Sequence, residues 1–199
     1  MHTVIKDTNG IHELSLDASL TLSRIIFLEG DIDDEMSGRF TKQLMAFWTE
    51  DPESPVKVFI RSDGGSIDAG MVIYDAIQSS PMPIKLYGIG RAYSMAAVIL
   101  ASGKHGRYLL PHSRMMIHEP LIASTIGGKT SSVCALAYNL IHTKEEMDKI
   151  LSKHTGQPLE KIAEMTRGEH FFTASEAVAF GLVDGIKGFD EMIREEEEA

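Results

Sequence analysis

A chain of 199 residues, 43% of them hydrophobic and only one of them cysteine (Cys134), is long enough for one continuous core. It is too poor in cysteine for a disulfide framework or a multi-cysteine metal site. The net charge of −10 argues against a nucleic-acid partner, and the closing run Glu195 to Glu198 reads as a solvated tail.

Residues 3–14 mix polar and β-branched side chains around Asn9-Gly10, a dipeptide suited to a two-residue hairpin turn, so an N-terminal hairpin is expected within residues 1–20. There is no basic stretch ahead of an apolar core and no apolar run near the ~20 residues that span a bilayer, so a cytoplasmic, membrane-free protein is expected. Residues 25–28 read as a buried strand. Met36, Phe40, Leu44 and Phe47 then recur at helical spacing behind the acidic residues 31–35. After the proline-bounded loop 51–55 the pattern repeats: a strand at 56–60, the turn Ser62-Asp63-Gly64-Gly65, and a helix with Met71, Ile73, Tyr74 and Ile77 in its core. A third strand at 84–89 leads through Arg91 to Tyr93 into Ser94 and an apolar helix that Gly103 is placed to close. Strand, turn and helix recurring about every 30 residues predict a parallel α/β domain.

Two short strands follow at 107–110 and 114–117, the second ending at His118-Glu119-Pro120. A polar link, 124–132, precedes a long helix over 133–154 with Leu136, Leu140, Met147, Ile150 and Leu151 as core positions and Cys134 in its packing. Gly156 closes that helix and Pro158 opens a short one through 165. Phe171-Phe172 form a brief strand, Thr173-Ala174-Ser175-Glu176 a capping box for a helix that Gly181 ends, and 182–186 the last strand. Residues 190–199 read as an acidic tail, which leaves a single domain over 1–199.

Gly88-Ile89-Gly90 begins a dinucleotide fingerprint, but its third glycine would fall at Tyr93; Gly128-Lys129-Thr130 resembles a P-loop end, but Ala123 stands in place of its first glycine. His118-Glu119 lacks the second histidine of a zinc-protease motif, so no metal and no bound cofactor are expected. A serine before an apolar helix is ordinarily an N-cap, a histidine ending a strand is ordinarily structural, and Gly64-Gly65 is ordinarily a tight turn. What distinguishes Gly65, Ser94 and His118 is that each falls at the C-terminal end of an expected parallel strand, the edge on which α/β folds build sites. A serine at a helix start, a histidine to take its proton and uncovered backbone N–H groups are the parts of an acyl-transfer site. Ala92 and Ala96 stand where a hydrolase nucleophile elbow carries glycines.

With these residues in view, the chain resembles the proteolytic subunit family of the ATP-dependent Clp protease (the ClpP family). The resemblance runs from Ile25-Ile26-Phe27-Leu28 through Ser62-Asp63-Gly64-Gly65-Ser66, Ala92-Tyr93-Ser94-Met95-Ala96, Met116-Ile117-His118-Glu119-Pro120 and His154-Thr155-Gly156-Gln157 to Phe172-Thr173-Ala174-Ser175-Glu176-Ala177 and Gly181-Leu182-Val183-Asp184. It implies a ClpP/crotonase-like fold with a protruding strand-helix handle at about 119–154, an axial hairpin, and a serine endopeptidase in stacked heptameric rings, with or without a paralogous subunit. It also implies a Clp-type AAA+ ATPase partner of the ClpX, ClpA or ClpC class and unfolded polypeptide substrates. Carried over by residue, Ser94 matches the nucleophile, His118 the base, Glu169 the third triad position, and the N–H groups of Gly65 and Met95 the oxyanion hole. Leu121, Ile122 and Ala123 match the strand that pairs with substrate backbone, and Ala46, Lys57, Phe59 and Ser79 fall on the positions of the ATPase docking cleft.

The chain departs from the family at four places. Glu169 stands where the family has aspartate, Arg167-Gly168 where it has a charged pair joining the rings, Ile122 and Ala123 where glycines are usual, and only Phe59 keeps an aromatic ring in the docking cleft. These departures leave a second reading open, a weakly active ring subunit that needs a paralogous peptidase. The related crotonase fold leaves a third, an acyl-CoA hydratase or thioesterase, against which the joint presence of Ser94 and His118 argues.

Overall fold

The computed structural model describes residues 2–7, 10–122 and 127–194; Asn9 of the expected hairpin turn, Ala123 of the expected substrate strand, residues 124–126 of the 124–132 link and the run 195–199 lie outside them. Strands β1 (His2–Asp7) and β2 (Gly10–Ser15) form the expected antiparallel hairpin, with His2 opposite Ser15 and Asp7 opposite Gly10. Helix α1 (Leu16–Leu22) occupies the rest of that segment, because the Ser15 side chain accepts the Ala18 N–H and caps it.

Among the described residues the main sheet has seven strands. β3 (Ile25–Glu29), β4 (Val56–Ser62), β5 (Ile84–Tyr93), β6 (Arg107–Leu109) and β9 (Gly185–Ile186) lie side by side in that order, all parallel. β7 (Arg114–Ile117) pairs parallel with the far half of β5, and β8 (His170–Thr173) pairs antiparallel with β7. The strand expected to end at residue 89 therefore runs on to Tyr93. Gly90, at φ +81°, lets the chain bend; its N–H donates to Ser113 Oγ at 2.7 Å, and Ser113 Oγ donates to the Gly88 carbonyl at 3.1 Å. Beyond the bend β5 exchanges β6 for β7, and this brings the end of β7 beside Ser94. The last strand is shorter than 182–186: Leu182 and Val183 are buried, and pairing starts only after Asp184, which Arg107 grips through both its backbone and its guanidinium.

Helix α2 (Asp34–Glu50), capped by Asp33, buries Met36, Phe40, Leu44 and Phe47 as their spacing requires. Helix α3 (Ile67–Ser79) is capped by Ser66 and buries Ile73, Tyr74 and Ile77, with Met71 packed at the edge of the core. Helix α4 (Met95–Ala101) is buried on every side. It ends at Ser102, not Gly103: the buried Ser102 returns its N–H to the Val98 and Ile99 carbonyls and its hydroxyl to Ile99. The missing side chain of Gly103 instead makes room for Arg107 and Leu86, since a Cβ there would stand 2.8 Å from Arg107 Cγ.

Helix α5 (Thr130–Thr155) begins before the expected 133, and its first half stands off the body. Leu136 is 39% exposed, Tyr138 67%, and Cys134 is exposed, so neither Leu136 nor Cys134 packs in the core; only from Met147 onward does the helix bury side chains. The apolar period of that first half is real, but its Leu136, Tyr138 and Ile141 stay exposed. α6 (Leu159–Met165) and α7 (Ala174–Phe180) follow, the latter with the Thr173–Glu176 capping box fully formed. Part of the expected acidic tail is helical, as α8 (Phe189–Arg194): Met192 is completely buried against Phe59 and Tyr87, an apolar contact that charge counting hides. Among the described residues no helix is long and apolar enough to cross a membrane.

His154, near the end of α5, shares a 3.0 Å hydrogen bond with the Tyr74 hydroxyl. Burial above all, then Lys153 and Arg107, lowers its pKa from 6.5 to about 4. The unfolded chain takes up this proton at a higher pH than the folded one, so stability is lost as pH falls through that window and recovered above it. His154→Gln removes the titration and is expected to flatten the fall in Tm between pH 6.5 and pH 4; an unchanged slope in calorimetry would clear His154 of the effect.

Candidate active site

Ser94 joins the end of β5 to α4 with φ 53° and ψ −124°, a backbone conformation costing about 1–3 kcal/mol for a residue other than glycine. Its N–H donates to the Met116 carbonyl at 2.8 Å, and Ala92 and Ala96 on either side are fully buried. The strained turn denies Ser94 the ordinary role of a helix cap: its side chain makes no capping bond, and its Oγ lies 2.7 Å from Nε2 of His118. His118, half-buried just after β7, reaches it because β7 lies against the far half of β5. With Nε2 as the unprotonated nitrogen, the serine hydroxyl donates and the imidazole is poised to take its proton.

Gly64-Gly65 packs directly against this turn. The Ile32 N–H donates to the Gly64 carbonyl at 2.9 Å and the Ser66 N–H to the Ile32 carbonyl at 2.7 Å, which pins the loop to the segment after β3. Gly65 sits at φ +151°, and a Cβ there would collide with the Ile32 carbonyl oxygen; a Cβ on Gly64 would stand 2.7 Å from that of Ser94. The N–H groups of Gly65 and of Met95, the first residue of α4, take no acceptor among the described residues. Both border the cleft of about 680 Å³ that Ser94 and His118 line. Two unpaired donors beside a serine–histidine pair are what a developing oxyanion requires.

Glu169 also lines this cleft, exposed at the mouth of β8. The β7–β8 pairing ends with Ile117 opposite His170, so His118 and Glu169 are the residues flanking that last pair. No hydrogen bond or ion pair joins them among the described residues. Leu121 is 63% exposed at the rim, Ile122 is half-buried beside it, and Ala123 lies outside the described residues. Sequence reasoning passed over Asn139, Thr143 and Met147, cleft residues from α5, and Val98 from α4. Within the sequence these read as ordinary helix positions, and only the crossing of α5 over the site reveals them.

Two of the four positions expected to form a docking cleft are not on the surface. Phe59 is 3% exposed and stacked between Phe27 and Tyr87, ring centroids 5.2 and 5.0 Å away; Lys57 is 4% exposed and donates to the Ile193 carbonyl at 2.8 Å. Helix α8 roofs both, while Ala46 and Ser79 are exposed. Of the neighbouring aromatic residues, Phe47 and Tyr74 turn into the core, whereas Trp48 and Phe27, the latter stacked on Phe59, are exposed.

A profile of the family described as Clp protease matches residues 9–188. Among curated proteins the chain is similar to the ATP-dependent Clp protease proteolytic subunit 2 of Corynebacterium efficiens and to that of Corynebacterium glutamicum, each 39% identical over 168 residues, 84% of this chain and 83% of the relative. The protein of the same description from Rhodococcus jostii is 38% identical over 168 residues, 84% of this chain and 85% of its own.

Proposed function

The chain belongs to the Clp protease family, and from that premise we propose that it is a serine endopeptidase subunit of a chambered, ATP-dependent cytoplasmic protease. The observation that carries the reading is the 2.7 Å contact between Ser94 Oγ and His118 Nε2 on a strained strand-to-helix turn. Ser94 attacks the scissile carbonyl as its proton passes to His118 Nε2. The N–H groups of Gly65 and Met95 hold the oxyanion, and His118 then gives the proton to the departing amine. Water, activated by the same imidazole, releases the acyl group from Ser94. Glu169 orients His118 within the cleft both line, and Leu121 and Ile122 present backbone to an extended substrate, which accounts for tolerance of many sequences. No step calls for a metal or cofactor; ATP acts through a partner unfoldase.

The exposed apolar side chains of the first half of α5, with Leu136, Tyr138 and Ile141 among them, suit a handle that meets an opposite ring. A fluorophosphonate probe tests the central claim: a mass increase confined to the peptide containing Ser94 is expected, and an unlabelled serine would overturn it.

A second reading, a ring subunit dependent on a paralogous peptidase, draws on the burial of Phe59 and Lys57 under α8. The ATPase of such proteases anchors an apolar loop on aromatic residues, and here Phe59, the one expected position that keeps a ring, is covered. Homomeric rings are therefore expected to give no ATP-dependent degradation of a folded substrate with a Clp ATPase, while short peptides are still cleaved. Efficient degradation with no second peptidase subunit present would refute this.

A further inference from the structure

Asp148 is a buried carboxylate to which the mechanism above assigns nothing; it is 5% exposed on the second half of α5. A carboxylate at that depth is costly unless its oxygens are occupied, and both are. Thr166 Oγ1 donates to Oδ1 at 2.9 Å and Lys144 Nζ donates to Oδ2 at 2.7 Å. The same two partners reach the site: the Thr166 carbonyl accepts the Glu119 N–H at 2.6 Å, and Lys144 Nζ lies 3.8 Å from Glu119 Oε2. Asp148, Thr166, Glu119 and Lys144 thus close a ring of polar contacts. Glu119 adjoins His118, and Thr166 precedes Glu169 by three residues. The two segments that carry histidine and acid are tied to each other at this ring and to the helix beneath, whereas His118 and Glu169 themselves share no bond.

We infer that Asp148 is a positioning residue for this site: through Thr166 and Lys144 it sets the spacing between the His118 turn and the Glu169 segment, and so whether the longer arm of a glutamate meets the imidazole. The inference rests on the peptidase reading and deepens it. A misplacement of about 1 Å in such a spacing can cost on the order of 10²-fold in rate.

The test measures kcat and KM on a short fluorogenic peptide, and fluorophosphonate labelling rates, for Asp148→Ala and Asp148→Asn in the full chain and in the Glu169→Gln background. Asp148→Ala is expected to lower kcat about 10- to 100-fold with KM within about twofold. Asn keeps an oxygen to accept from Thr166, so Asp148→Asn is expected to restore kcat to within about threefold of the parent. If Asp148 acts through Glu169, the Ala change costs less than about threefold once Glu169 is Gln, because residues acting through one path are not additive. An equal loss in both backgrounds, or an unchanged kcat in Asp148→Ala, overturns the inference. Should Asp148→Ala fail to fold, Thr166→Val, which deletes the hydroxyl and keeps the carbonyl, is expected to give the same pattern and is judged by the same outcomes. An unmodified protein inert to the probe overturns the peptidase reading and this inference together; an active one whose Asp148→Ala form labels at the parent rate overturns the inference alone.

Discussion

Ser94→Ala is expected to remove peptide hydrolysis by a factor on the order of 10⁶ in kcat and to abolish fluorophosphonate labelling, with folding and assembly retained. The size follows from the unit that Ser94 forms with His118: without the nucleophile the 2.7 Å contact has nothing to deliver, and only the oxyanion donors and binding remain. Folding survives because the strained backbone is held by its surroundings. The Ser94 N–H still reaches Met116, the buried alanines on either side are unchanged, and alanine needs no more room than serine. Peptide turnover by Ser94→Ala at the parent rate would falsify the serine mechanism, whatever the family resemblance.

Glu169→Gln is expected to lower kcat by a factor on the order of 10² to 10⁴ with little change in Tm, since a carboxylate that orients the imidazole also fixes its tautomer. Little stability is at stake because Glu169 is exposed and makes no bond to His118 in the free chain. That unmade bond gives the companion change, Glu169→Asp, its meaning. The shorter side chain has one rotatable bond fewer, from a position in the cleft that His118 also lines. Raised activity in Glu169→Asp would mean that the native acid is held out of reach until an assembled ring or substrate closes the gap. A rate indifferent to Glu169→Gln would remove Glu169 from the site.

Local chemistry explains which parts could be read in advance. The spacing of Met36, Phe40, Leu44 and Phe47 demanded a helix against a core, and Thr173 with Glu176 demanded a capped start; both depend on neighbours within a few residues. The same reasoning misjudged Leu136 and Cys134. Periodicity records that a face is apolar, not what lies against it, and Leu136 and Cys134 stay exposed on α5. It also missed α8, where one buried methionine counts for more than the glutamates around it.

For the site, sequence alone determined the parts: a serine after a strand, a histidine ending another, paired glycines in a turn, and a glutamate before a short strand. Each identity follows from a conformation or a charge that only a few residue types supply. The tertiary structure decided their company. The bend at Gly90 that hands β5 from β6 to β7 brings His118 to Ser94, and the antiparallel pairing of β8 with β7 brings Glu169 to the same cleft. Burial under α8 closes off Phe59 and Lys57, and the buried Asp148 ties two distant segments together. These are contacts between residues tens of positions apart. They depend on the path of the whole chain, and no local pattern of polarity or propensity contains that path.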